Sequence, residues 1–164
     1  NSLIRAIKES KLNAVITYPN ADPKFMQIIK IFNSKLKNKK KFLLVKSLGE
    51  KNYFNLMKYA KLMLGNSSSG IVEAPSFNLP VVNIGSRQGG KFKTKNVINT
   101  GYSHKEILKG IKKALNNNFK KKLSKLKNPY EPKISIKEII NMILNIKVNN
   151  KLINKKFVNK TIKF

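Results

Sequence analysis

Leu62-Met63-Leu64-Gly65-Asn66-Ser67-Ser68-Ser69-Gly70-Ile71-Val72-Glu73-Ala74-Pro75-Ser76-Phe77-Asn78-Leu79-Pro80-Val81-Val82-Asn83-Ile84-Gly85-Ser86-Arg87 decides the fold of this 164-residue chain. It reads as strand, polar turn, short helix, strand, loop. The apolar run Leu62 to Leu64 delivers the backbone to Gly65. Asn66 to Ser69 then offer hydroxyls, an amide and N-cap candidates where a helix begins near Ser68. A helix N-terminus carries partial positive charge and unpaired N–H donors, so an anion such as a diphosphate can sit there without a dedicated lysine. Gly70 would let that anion come close to the backbone. A well-capped turn in an ordinary α/β protein would look the same over Ser-Ser-Ser-Gly alone, so the flanking residues decide.

Glu73 stands five residues past Ser68. A carboxylate there can hold the two hydroxyls of a ribose beside a bound phosphate, or simply complement the helix dipole from the surface. After the strand Pro80 to Ile84, the run Gly85-Ser86-Arg87-Gln88-Gly89-Gly90 opens a loop at a strand's carboxyl end. Open α/β sheets place their ligands there. An arginine in that loop can return to phosphate as a bidentate donor, the role suggested for Arg87.

The rest of the chain repeats strand and helix. Leu3, Ile4 and Ile7 mark a helix over the first ten residues, expected to be the end of an element that starts upstream. Asn13 to Tyr18 is a β-branched strand stopped by Pro19. Asp22-Pro23 suits the start of a helix, acid as cap and proline first, with Phe25, Ile28, Ile29, Phe32 and Leu36 on one face. Phe42 to Val45 is a strand, and Phe54, Leu56 and Met57, with Tyr59 as a candidate fourth, form the stripe of a helix over Asn52 to Tyr59. Asn96 to Asn99 is a further strand, and Ser103 with Glu106 makes a capping box for a helix carrying Ile107, Leu108, Ile111, Ala114 and Leu115. A proline-punctuated loop, Asn128 to Pro132, precedes a helix opened by Ser135. Such alternation predicts right-handed crossovers and a Rossmann-like parallel sheet with helices on both faces. The expected organisation is one domain over 1–147 and a basic C-terminal tail over 148–164.

Composition removes several chemistries. There is no cysteine, which excludes disulfides and thiolate catalysis. The single histidine, His104, excludes a multi-histidine metal site, and no metal site or cofactor is expected. No apolar run is long enough to cross a bilayer, and the first residues lack the order of a secretory signal, so a cytoplasmic protein without membrane contact is expected. The net charge of +28 raises a rival class, a basic nucleic-acid or anionic-surface binding module. Against it, lysines spread through nearly every segment, and aromatic residues are not interleaved with them as a single-strand binder requires. The charge is read mainly as a bias towards Lys, Asn and Ile, without specific nucleic-acid binding.

The run Gly65 to Phe77, with Leu79 to Gln88, closely resembles the hydrolysing UDP-N-acetylglucosamine 2-epimerases, including members of sialic-acid and legionaminic-acid pathways. Tyr18-Pro19-Asn20-Ala21-Asp22 resembles that family's Pro-Asn-x-Asp turn. The resemblance implies that Ser67 and Ser68 bind the UDP diphosphate, Glu73 the ribose and Arg87 a phosphate oxygen. It further implies a nucleotide-side role for Asn20 and backbone contacts to uracil near Leu48. It implies one half of a two-domain, glycosyltransferase-B-like fold, with the carboxylates for proton transfer in an N-terminal domain outside this sequence. No catalytic residue is therefore assigned here, and the chain alone is expected to be inactive. The implied partners are a UDP-sugar, that N-terminal domain in cis or in trans, and a second copy in a possible homodimer.

Overall fold

The computed structural model describes residues 1–154. The elements are α1 (Ser2–Glu9), β1 (Ala14–Thr17), α2 (Phe25–Leu36), β2 (Phe42–Val45), α3 (Gly49–Tyr59), β3 (Met63–Gly65), α4 (Ser69–Val72), a 3-10 turn (Ala74–Phe77), β4 (Val81–Ile84), β5 (Val97–Thr100), α5 (His104–Leu115), α6 (Asn117–Lys121), α7 (Ile136–Leu144) and α8 (Asn150–Ile153). The chain is α/β, and every strand pairing is parallel. The strands form two ladders: β1 with β2, and β3-β4-β5 with β4 central.

The three-stranded sheet shows how side-chain alternation builds two cores. Met63, Val81 and Val97 are register partners and point to one face, where Met57 of α3 and Ala74 and Phe77 of the 3-10 turn cover them. Leu64, Val82 and Ile98 point to the other, packing with Ala114 of α5. Strands buried on both faces require this continuous apolar sequence. The α5 stripe of Ile107 and Ile111 also meets Ala6 of α1. Helices thus lie on both faces of this sheet.

Gly70 allows α4 to sit hard against β4. A Cβ there would lie 2.8 Å from Val81 Cγ1. Two buried asparagines stiffen the strands: Asn96 Nδ2 donates to Leu79 O at 2.9 Å, and Asn83 Nδ2 donates to Asn99 Oδ1 on β5 at 2.9 Å.

The start of α2 differs from expectation. The helix begins at Phe25 after Lys24 in the left-handed region (φ 67°), and Asp22 makes no side-chain cap. Its carboxylate is engaged elsewhere, by Arg87. Ile28 is exposed because it lies one residue off the Phe25, Ile29, Phe32, Leu36 stripe, of which Leu36 is fully buried. The Ser103–Glu106 capping box is present at α5. After Asn116 the chain opens helix α6, capped by Asn116.

The chain divides into two compact units, Asn1–Tyr130 and Glu131–Phe164. In the second, α7 has its own capping box from Ser135 and Glu138, and Ile136, Ile140, Ile143 and Leu144 are exposed. Of the tail expected over 148–164, α8 is described, and residues 155–164 lie outside the described residues.

Candidate functional site

Five of the residues singled out in the sequence lie two or three positions past the carboxyl end of a parallel strand, whereas Gly70 lies within α4 and Glu73 closes it. Asn20 follows β1, Leu48 follows β2, Ser67 and Ser68 follow β3, and Arg87 follows β4. All four loops leave the carboxyl ends of parallel strands, three of them leading into helices and the one after β4 leading to β5.

The turn after β3 is open. Asn66, Ser67 and Ser68 are exposed, and the Ser67 and Ser68 amides meet no acceptor among the described residues. Ser69 N donates to Ser67 Oγ at 3.3 Å, and the Ser68 carbonyl accepts from Ile71 N and Val72 N. Ser68 makes no side-chain cap, so its hydroxyl is not spent on the helix. Gly70 is buried, and its hydrogen side faces Val81. Packing therefore already requires a glycine there.

Glu73 closes α4 as its C-cap residue. Its Oε2 is buried and has no hydrogen-bond partner among the described residues. A buried polar atom left unpaired costs about 1–3 kcal/mol, so it stands out as an acceptor without a donor. The α4 end is braced by a residue the sequence reading missed: Asn128 Nδ2 donates to Val72 O at 2.8 Å and to Ser76 Oγ at 2.7 Å.

The loop after β4 joins the others. Arg87 Nη1 lies 2.6 Å from Asp22 Oδ2, in the loop after β1. The hydrogen bond that Arg87 donates to Asp22, and next the carboxylate's charge, raise the guanidinium pKa above its usual value. Gln88 Nε2 donates to Asn66 O at 2.8 Å, in the turn after β3. Arg87 itself makes no hydrogen bond to Ser67 or Ser68, and none joins Leu48 to the other candidates among the described residues. From β5's side, Tyr102 Oη accepts from Ser86 N at 3.3 Å, and hydrogen bonds from Ser86 lower the phenol's pKa. The Tyr102 ring occupies the space above Gly85, where a Cβ would fall 2.2 Å from it.

His104 lies outside this loop cluster. It opens α5, with Nε2 2.7 Å from Glu9 Oε2 but without hydrogen-bond geometry. Two concavities of the first unit, one lined by Arg5, Glu9, His104 and Lys112 among others, one by Asn13 to Val15 and Asn38 to Leu43, also lie apart from Ser67, Ser68, Glu73 and Arg87. Among the described residues no group of three or more acidic, histidine or cysteine side chains is placed to hold a metal, and no helix is long and apolar enough to cross a membrane.

A family model described as UDP-N-acetylglucosamine 2-epimerase matches residues 1–144. The chain is 32% identical over 154 residues to a UDP-N,N'-diacetylbacillosamine 2-epimerase (hydrolyzing) of Legionella pneumophila, covering 94% of this chain and 40% of that protein. It is 46% identical over 87 residues to a GDP/UDP-N,N'-diacetylbacillosamine 2-epimerase (hydrolyzing) of Campylobacter jejuni, covering 52% of this chain and 23% of that one. The chain thus spans well under half the length of these relatives. Among solved structures, the S. aureus MnaA-UDP co-structure superposes with a TM-score of 0.66 at 21% identity, over 87% of this chain and 39% of that one. That likeness concerns the fold.

Proposed function

Because this chain belongs to the UDP-N-acetylglucosamine 2-epimerase family, we propose that it is the UDP-binding C-terminal portion of a hydrolysing UDP-sugar 2-epimerase. The substrate is UDP-N-acetylglucosamine or a related UDP-diacetamido sugar, and the products are the free 2-epimeric sugar and UDP. The names of the Legionella and Campylobacter relatives support the diacetamido alternative.

In this reading the serine turn and Arg87 receive the diphosphate, Glu73 the ribose hydroxyls, and the loops at Asn20 and Leu48 the nucleoside. The reaction removes the C2 proton of the sugar and breaks its C1–O bond, and UDP leaves with the bonding electrons. Water then adds across the resulting C1–C2 double bond, hydroxyl to C1 and proton to the opposite face of C2. This chain's part is to hold and stabilise the departing diphosphate. Apart from Glu73, its carboxylates offer no pair for the proton transfers, which fall to a first Rossmann-like domain in cis or in trans. The whole enzyme works in the cytoplasm as a homodimer.

The observation that carries the reading is the buried, unpartnered Glu73 Oε2 one turn beyond the open serine amides. It is an acceptor awaiting a hydroxyl beside donors awaiting an anion. Calorimetric titration of the chain with UDP tests it. Binding heat is expected, and its disappearance in the Ser68→Ala, Glu73→Ala variant. No UDP-dependent heat from the unmutated chain overturns the proposal.

A further inference from the structure

Gln88 is 4% exposed, yet its side chain is polar and only half satisfied. Nε2 donates to Asn66 O at 2.8 Å, whereas Oε1 is buried without a partner among the described residues. The reverse orientation would press Oε1 against a carbonyl oxygen with no proton between them, so the amide is held this way round. Filling the space would not require an amide. A methionine of similar length would do so without burying an idle acceptor. The amide's distinctive contribution is its hydrogen bond, which spans 22 residues and ties the loop after β4 to the first residue of the serine turn.

Its neighbour makes the tie consequential. Arg87 precedes Gln88 and projects to Asp22, while Gln88 projects to Asn66. Gly89 N closes the turn on Ser86 O at 2.7 Å around both. We infer that Gln88 is a positioning residue: its bond to the Asn66 carbonyl fixes the separation between Arg87 and the Ser67–Ser68 amides, so that one diphosphate meets both at once. The inference rests on the reading above, in which those groups receive UDP. Preorganisation of this kind raises affinity by removing the ordering cost from the binding step.

The test compares the full chain with its Gln88→Met variant, which keeps side-chain length and removes the donor. UDP and uridine are titrated calorimetrically, and amide hydrogen exchange is followed at Ser67 to Ser69. UDP affinity should fall about fivefold to tenfold, the range of one lost neutral hydrogen bond, with uridine affinity unchanged and exchange at the serine turn faster. Unchanged UDP affinity and exchange in Gln88→Met, against an unmutated chain that binds UDP, overturn this inference and leave the parent reading standing. An unmutated chain that binds no UDP overturns both. Should Gln88→Met fail to fold, Gln88→Glu serves instead, because its carboxyl can donate to Asn66 O only when protonated. Its UDP affinity relative to the unmutated chain should recover from neutral to mildly acidic pH, and a flat ratio counts against positioning.

Discussion

Arg87 and Asp22 form an ion pair of 2.6 Å between loops that follow different strands of different sheets, 65 residues apart in sequence. The side chains are 52% and 45% exposed, so solvent screens the attraction and the pair contributes little to holding the loops. A diphosphate carries more charge than one carboxylate and accepts a bidentate arginine equally well. The guanidinium is therefore parked on Asp22 with little to hold it there.

Asp22 and Arg87 should accordingly have opposite effects on UDP binding. Asp22→Asn removes a competitor for the guanidinium and a repulsive charge, so affinity should rise about twofold to fivefold, within the worth of an exposed pair. Arg87→Ala should weaken binding about tenfold or more, the scale of a charged hydrogen bond. Calorimetry on both variants decides. Equal weakening would show that Asp22 assists the arginine.

Glu73 should discriminate between riboses. Glu73→Gln keeps the shape but replaces a carboxylate that can accept two hydroxyls, so UDP affinity should fall about tenfold and that of 2'-deoxy-UDP, which keeps only the 3'-hydroxyl, should fall several-fold less. The same variant removes the charge from a side chain whose buried oxygen has no partner, and its melting temperature without ligand should not fall. An equal loss for both nucleotides would place Glu73 away from the ribose.

Much of this architecture is local and was readable. The Leu62 to Arg87 stretch becomes β3, α4 and β4 with boundaries shifted by one or two residues, because apolar strand runs and a serine-rich turn are signals carried by neighbours. The Ser103–Glu106 box spans three residues and forms as expected. Long-range polar pairing left no such signature. Asp-Pro is a good helix start and marks Asp22 as a cap, yet a guanidinium 65 residues away takes the carboxylate. Gln88 to Asn66 and Asn128 to Val72 likewise join distant loops, and neither periodicity nor spacing encodes them. In sequence Gly70 points to anion approach, and the close contact with Val81 adds a packing demand that no local pattern shows.

That packing demand gives a stability prediction. Gly70→Ala would place a methyl 2.8 Å from Val81 Cγ1 in a buried contact between α4 and β4. Overpacking of this sort costs about 1–3 kcal/mol, visible as a lower urea midpoint with an unchanged slope. Gly85→Ala adds a second penalty, since φ is +75° and the Tyr102 ring fills the site. Combining Gly85→Ala with Tyr102→Ala should recover the steric part and leave the backbone part. A neutral Gly70→Ala would mean that α4 can move off the sheet.

The capping box of α5 makes a prediction about pH. Ser103's hydroxyl first, and its amide second, hydrogen-bond the Glu106 carboxylate and lower its pKa from the ordinary 4.5. A carboxylate depressed in the folded chain adds stability that is complete above its unfolded value and is lost as pH falls through the folded one. The Ser103–Glu106 contribution should thus be intact at neutral pH and decline below pH 4.5. Glu138 repeats the arrangement in α7, where the Ser135 amide is the leading cause. Melting temperatures of the unmutated chain and of Glu106→Gln, followed from neutral pH into acid, should converge as the carboxylate protonates. Ser103→Ala should cost about 1 kcal/mol near neutral pH through the lost cap, and should remove most of the Glu106-dependent slope. A constant gap between the unmutated chain and Glu106→Gln across that range would show that the carboxylate's charge contributes nothing to the helix start.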